Sequence, residues 1–161
     1  LLLPYLVLRW IGWHAIRRLS REACCDEVAP GVWVGRRPLA GDLPPDASLI
    51  VDLTAEFPAL RAVRRGRTYL CVPTLDATAP EETALRRAVE TAAMWDGTVY
   101  IHCALGHARS AMTAAAVLIR RGLAADPGEA VARMQLARPS IRLEKVQRRL
   151  LERMAATTGG G

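Results

Sequence analysis

The chain has 161 residues, of which 51% are hydrophobic and 24% charged. That length suits one domain with its own core, and the composition excludes disordered and collagen-like chains. The formal charge is +6, carried by 22 basic residues of which only Lys145 is a lysine, so anionic partners are favoured, though net charge does not choose among nucleic acid, anionic lipid and phosphorylated substrates.

The first stretch, from Leu1 to Ile16, reads LLLPYLVLRWIGWHAI and is followed by Arg17, Arg18 and Arg21. It is too short to span a bilayer alone, yet aromatic residues followed by arginines also mark the cytoplasmic end of a transmembrane helix. Two expectations therefore stand together: a membrane contact through residues 1–21, or an apolar helix packed on the domain. The opening at Leu1 adds the expectation of a fragment or processed chain. We divide the sequence into an apolar and basic segment at 1–25, a globular domain at 26–156 and a flexible tail at 157–161. Cys24, Cys25, Cys71 and Cys103 have neither zinc-site spacing nor the density of a disulfide scaffold. No metal and no cofactor are expected, and the expected compartment is the cytoplasm, with tethering to the cytoplasmic face of a membrane as the variant.

From Gly31 the pattern turns to short β-branched and aromatic runs at Val32–Val34, Ser48–Leu53, Thr68–Val72 and Thr98–His102. Helical patterns lie between and after them. The alternation predicts an α/β fold with a mostly parallel central sheet flanked by helices. Thr78 with Glu81 resembles a capping box ahead of a helix whose Leu85, Ala88, Val89 and Ala92 share one face. Ser110 to Ile119 carries no charge and predicts a buried central helix. Asp126, Pro127 and Glu129 supply cap, first-position proline and capping-box acid for the next helix. A last helix places Leu143, Val146, Leu150 and Met154 on one stripe.

The chemistry concentrates in GTVYIHCALGHARS, Gly97 to Ser110: a strand, a loop from Cys103 to Arg109, then a helix. A loop running from a strand end into a helix N-terminus gathers backbone N–H groups around a concavity, and the helix dipole adds positive potential there. Such a loop, made of Ala104, Leu105, Gly106, His107, Ala108 and Arg109, suits a tetrahedral dianion. Gly106 allows a positive φ, and the Arg109 fork can hold two phosphate oxygens. Cys103 lies at the base, where the same positive field favours the thiolate, an in-line nucleophile toward a bound phosphate. Ser110 can hydrogen-bond the sulfur, and His102 is expected to order the loop from behind. A leaving oxygen needs a proton that a thiolate lacks, which points to a carboxylate. Asp76 is the candidate, with Asp52 and Glu56 as competitors.

His102, Cys103, Gly106, Arg109 and Ser110 match the HCxxGxxRS signature, and over residues 30–156 the chain resembles the compact dual-specificity branch of the protein tyrosine phosphatase superfamily. The resemblance implies a phosphocysteine intermediate and assigns the general acid to the position of Asp76. It makes 26–156 the catalytic domain, acting on phosphotyrosine and phosphoserine or phosphothreonine proteins. The chain departs from the commonest family pattern at Leu105, where alanine is usual, and at Ala108, where serine or glycine is usual. His107 is also unusual: at the rim it reads a second phosphate or an acidic lipid head group, or else points to solvent.

The alternative substrate is a phosphoinositide or other phospholipid at a membrane, and the alternative from another class is a pseudophosphatase that binds phosphorylated ligands without turnover. No nucleic-acid partner is expected. A low-molecular-weight phosphatase would carry its acid after the loop, a rhodanese would have a shorter loop, and His102, Cys103 and His107 do not make a ready metal site. Cys71 reads as a packed core residue, with a reversible disulfide to Cys103 as the rival. The cluster of Arg61, Arg64, Arg65 and Arg67 reads first as a solvated face.

Overall fold

The computed structural model describes residues 3–158. Strands β1 (Cys25–Ala29) and β2 (Val32–Arg36) form an antiparallel hairpin through Gly31, at φ +70. Then follow β3 (Ala47–Thr54), β4 (Thr68–Thr74) and β5 (Thr98–Cys103), all parallel to β2, in the spatial order β1-β2-β5-β3-β4. The predicted α/β fold with a mostly parallel sheet is what forms. Strand β1 has no counterpart in the sequence reading, because CDEVA alternates too weakly; only its last two residues, Val28 and Ala29, are buried.

Helices α3 (Glu82–Ala93), α4 (Arg109–Arg120), α5 (Pro127–Ala137) and α6 (Lys145–Thr158) join the larger core, in which Leu49, Val51, Leu85, Ile101, Met112 and Leu118 are all buried. Every residue of α4 from Arg109 to Leu118 is buried, as its uncharged sequence predicts. The smaller core on the other sheet face gathers Ala47, Ile50, Val63 and Tyr100 beneath the short α2 (Arg61–Arg64). Asp126 caps α5 as expected, its Oδ1 accepting from the Glu129 N–H at 2.9 Å.

Two helix details differ from expectation. The cap of α3 is Glu81, whose carboxylate accepts from the Thr83 and Ala84 N–H groups, while Thr78 Oγ1 bonds Leu75 O. A helix capped at Thr78 would need helical backbone at Ala79, directly before Pro80, where proline disfavours it. On α6 the buried stripe is Gln147, Leu150, Leu151 and Met154, with Val146 exposed and Leu143 ahead of the helix. The buried Gln147 amide turns the stripe: it donates to Thr78 O at 3.0 Å and accepts from the Glu144 N–H at 3.2 Å. Helix α6 includes Thr157 and Thr158; positions 159–161 of the expected tail lie outside the described residues.

The N-terminal run forms α1 (Leu3–Leu19). Trp13 is buried, while Val7, Leu8 and Ile11 are exposed. No helix among the described residues is long and apolar enough to cross a membrane.

Candidate phosphate-binding site

The site forms where β5 ends and α4 begins. Because β5 lies between β2 and β3, Cys103 at its C-terminal end is aligned with Arg36 of β2 and follows His102, which is aligned with Asp52 of β3. Gly106 has φ +79, and a Cβ there would meet the Gly35 carbonyl carbon at 2.3 Å and Arg36 N at 2.6 Å. Only glycine fits, since the loop rests on the β2 backbone.

The loop carbonyls are turned outward, each held by a named donor. Trp13 Nε1 donates to Ala104 O at 3.0 Å, with the Arg37 N–H at 3.4 Å on the same oxygen. Arg138 donates from Nε to Gly106 O at 3.0 Å and from a terminal nitrogen to Leu105 O at 3.5 Å. The Arg142 N–H donates to His107 O at 3.0 Å. Across a trans peptide the next N–H points opposite to the carbonyl. Outward carbonyls at 104–107 therefore turn the N–H groups of Leu105, Gly106, His107 and Ala108 toward the interior, where Cys103 lies. The Gly106 N–H already reaches Cys103 Sγ at 3.2 Å.

Cys103 is buried, and Ser110 Oγ is 3.4 Å from its sulfur. Burial by itself would push the thiol pKa up. The Arg109 charge and hydrogen bonds from the Ser110 hydroxyl, the Ser110 N–H and the Gly106 N–H outweigh it and bring the thiol below its ordinary value of 9.0.

Arg109, also buried, donates to both Glu56 oxygens at 3.0 Å and to Thr74 O at 2.6 Å. Its other terminal nitrogen is 3.5 Å from Asp76 Oδ1. Burial works against its charge, but the Cys103 thiolate and the carboxylates Glu56 and Asp76 hold it firmly cationic. Glu56, a competing acid in the sequence reading, is thus buried and spent on orienting Arg109. Asp76 is 40% exposed beside the same guanidinium, at the mouth of the site. The loop carrying it has Ala77 at φ +59 and is held by the Gln147 bond to Thr78 O.

Asp52 accepts from the Thr54 N–H at 2.7 Å and from the Tyr69 hydroxyl, and its Oδ1 stands 3.6 Å from His102 Nδ1. His102 stacks on Tyr100 and is fully buried; burial lowers its pKa despite Asp52, so the ring is neutral. His107 faces neither solvent alone nor the interior: its Nε2 pairs with Glu22 at 2.7 Å. Glu22 also binds the Ser140 hydroxyl and lies 3.0 Å from Arg138. Burial would raise the Glu22 carboxyl, but Ser140, His107 and Arg138 together bring it below 4.5.

Cys71 is exposed and is not a core residue. Asp52 pairs with both Cys71 and His102, which puts Cys71 two strands, roughly 10 Å, from His102. That separation exceeds what a disulfide to the adjacent Cys103 spans. No group of three or more His, Cys, Asp or Glu among the described residues could hold a metal.

Glu22, Glu56, Arg138 and Trp13 serve the phosphate loop, and Gln147 the segment bearing Asp76, without having been assigned to them from sequence. A buried charge such as Arg138 becomes visible only when the fold shows what surrounds it.

No family model and no curated protein sequence matches the chain. Solved structures do. PTPMT1 in complex with PI(5)P superposes with TM-score 0.71 at 21% identity, covering 83% of this chain and 96% of that one. Human DUSP28 gives 0.70 at 23%, covering 85% and 96%. Tk-PTP in its active form gives 0.70 at 26%, covering 83% and 97%. The chain has the fold of the compact dual-specificity branch of the protein tyrosine phosphatase superfamily. It carries that superfamily's HCxxGxxRS loop at residues 102–110.

Proposed function

We propose that the chain is a cysteine-dependent phosphomonoester hydrolase acting on phosphotyrosine and phosphoserine or phosphothreonine proteins. The observation that carries it is Cys103, its sulfur inside a ring of inward N–H groups and beside an Arg109 fixed by Glu56. The substrate phosphate occupies the ring with two oxygens on Arg109. Cys103 Sγ attacks phosphorus as the ester P–O bond breaks, and Asp76 gives its proton to the departing oxygen. Water then attacks the thiophosphate and yields its proton to Asp76. The S–P bond breaks, and the Ser110 hydroxyl stabilises the departing thiolate. Asp76, Arg109 and Cys103 together favour turnover over a purely binding role.

A second reading, a phospholipid substrate at a membrane, draws on the exposed Val7, Leu8 and Ile11 of α1, whose Trp13 touches the loop. The PI(5)P complex of PTPMT1 adds to it. The domain would act in the cytoplasm, free or tethered through residues 1–21. The sequence supplies no added aromatic loop that would deepen the pocket, and aromatic residues are only 5% of the chain, which favours the protein substrate.

The test compares kcat/KM for phosphotyrosine and phosphothreonine peptides with short-chain phosphoinositides at one ionic strength, with Cys103→Ser as control. Both peptides are expected to turn over faster than the lipids, without loss to chelators and with no turnover by the variant. Lipid preference by about a hundredfold or more would overturn the protein-substrate reading and leave the cysteine mechanism standing.

A further inference from the structure

The N-terminal segment reaches the phosphate loop at two separate points. Trp13 is buried although Val7, Leu8 and Ile11 of the same helix are exposed, so α1 approaches the domain through its indole. That indole sits 6.1 Å from the Phe57 ring, with the Arg37 guanidinium 5.3 Å from each ring and tied to Pro58 O at 2.7 Å. The stack fixes the indole plane and aims Nε1 at Ala104 O, the first carbonyl after the nucleophile. Farther along, Glu22 joins His107 of the loop to Arg138 and Ser140 behind it. Between these two contacts lie the peptides that carry the inward N–H groups of Leu105, Gly106 and His107.

We infer that residues 3–22 are a strap that sets the phosphate loop, with Trp13 its principal positioning residue: the indole N–H holds the Ala104 carbonyl outward and thereby points the Leu105 N–H at the bound oxyanion. The inference rests on the proposed phosphate-binding function of the loop. Trp13 touches no reacting atom; it acts through one peptide plane. If that hydrogen bond is lost, the Ala104–Leu105 peptide can rotate, and an inward carbonyl oxygen would repel the dianion where an N–H attracted it. A net hydrogen bond worth about 0.7–1.4 kcal/mol corresponds to a roughly three- to tenfold change in oxyanion affinity.

The experiment uses the whole chain and inorganic tungstate, a tetrahedral dianion, as probe. Trp13→Phe keeps a ring against Phe57 and Arg37 and removes the donor. Glu22→Ala releases the other end and leaves α1 intact. Tungstate Kd, the pH midpoint of Cys103 alkylation and the thermal midpoint are measured for each. The expected result for Trp13→Phe is a tungstate Kd weaker by about three- to tenfold and an alkylation midpoint moved upward, at temperatures where the variant is fully folded. Glu22→Ala should weaken tungstate in the same direction. An unchanged Kd and midpoint in both variants, even with a lowered thermal midpoint, would overturn the strap and leave the phosphatase reading intact. If Trp13→Phe does not fold, Glu22→Ala decides by the same criterion. A wild-type chain that binds no tungstate would overturn both readings.

Discussion

A guanidinium taken out of water costs several kcal/mol unless its surroundings restore what solvent supplied. Arg109 is restored on three sides, by Glu56, by the Thr74 carbonyl and by the sulfur of Cys103. The same arrangement makes Cys103 acidic, so the acid limb of the kcat/KM profile is expected below 9.0, with activity rising as the thiol deprotonates. In the proposed mechanism Asp76 serves in the opposite sense, as the proton donor, and its loss should remove the basic limb. Asp76→Asn is therefore expected to slow alkyl phosphate esters by about 10²–10⁴ and activated aryl phosphates far less. Steady-state rates on both ester types across pH check this, and equal losses on the two would remove Asp76 from the role. Cys103 and Arg109 could be read from the sequence because the chemistry itself fixes their spacing around one loop. Glu56 was legible only as a carboxylate; that it is buried against a cation depends on a contact spanning 53 positions.

At the scale of elements, the uncharged run of α4 announced a buried helix, and the period of α3 announced its inner face. What misled was local competition: Pro80 moved a cap from Thr78 to Glu81, and a buried glutamine rotated the stripe of α6. Strand β1 escaped notice because an edge strand needs little apolar alternation when a single neighbour supplies its hydrogen bonds. Gln147 joins α6 to the loop bearing Asp76, and its buried amide has both its partners on backbone groups. Gln147→Leu leaves Thr78 O and the Glu144 N–H without those partners. It should cost about 1–3 kcal/mol, read as a fall in thermal midpoint of roughly 2–12 °C. A thermal midpoint equal to wild type would show that the Gln147 bonds do not hold the acid loop to α6.

Taken as one molecule, the chain sets the proposed phosphate loop, with its single buried guanidinium between Glu56 and Asp76, in a body whose charge is +6. Arg67 is spent on the carbonyls of Ala47, Val63 and Arg65, Arg64 lies over Tyr69, and Arg86, Arg120 and Arg153 pair with Glu82 or Glu90. The cluster at 61–67 thus serves partly as bracing for the β4 edge, while its guanidinium charges remain within the net +6. The fold class was legible because alternating strand and helix patterns admit few layered solutions. The meeting of the N-terminal helix with the phosphate loop was not, since Trp13 and Ala104 are 91 positions apart. In the proposed mechanism Cys103 becomes covalently phosphorylated during turnover. That step is tested most directly by acid-quenching the Asp76→Asn chain within one turnover of an activated aryl phosphate and locating the phosphoryl group by peptide mass spectrometry. One added phosphoryl group is expected on the peptide containing Cys103, absent from Cys103→Ser; turnover with the group on another residue, or with no covalent intermediate under the same quench, would rule the mechanism out.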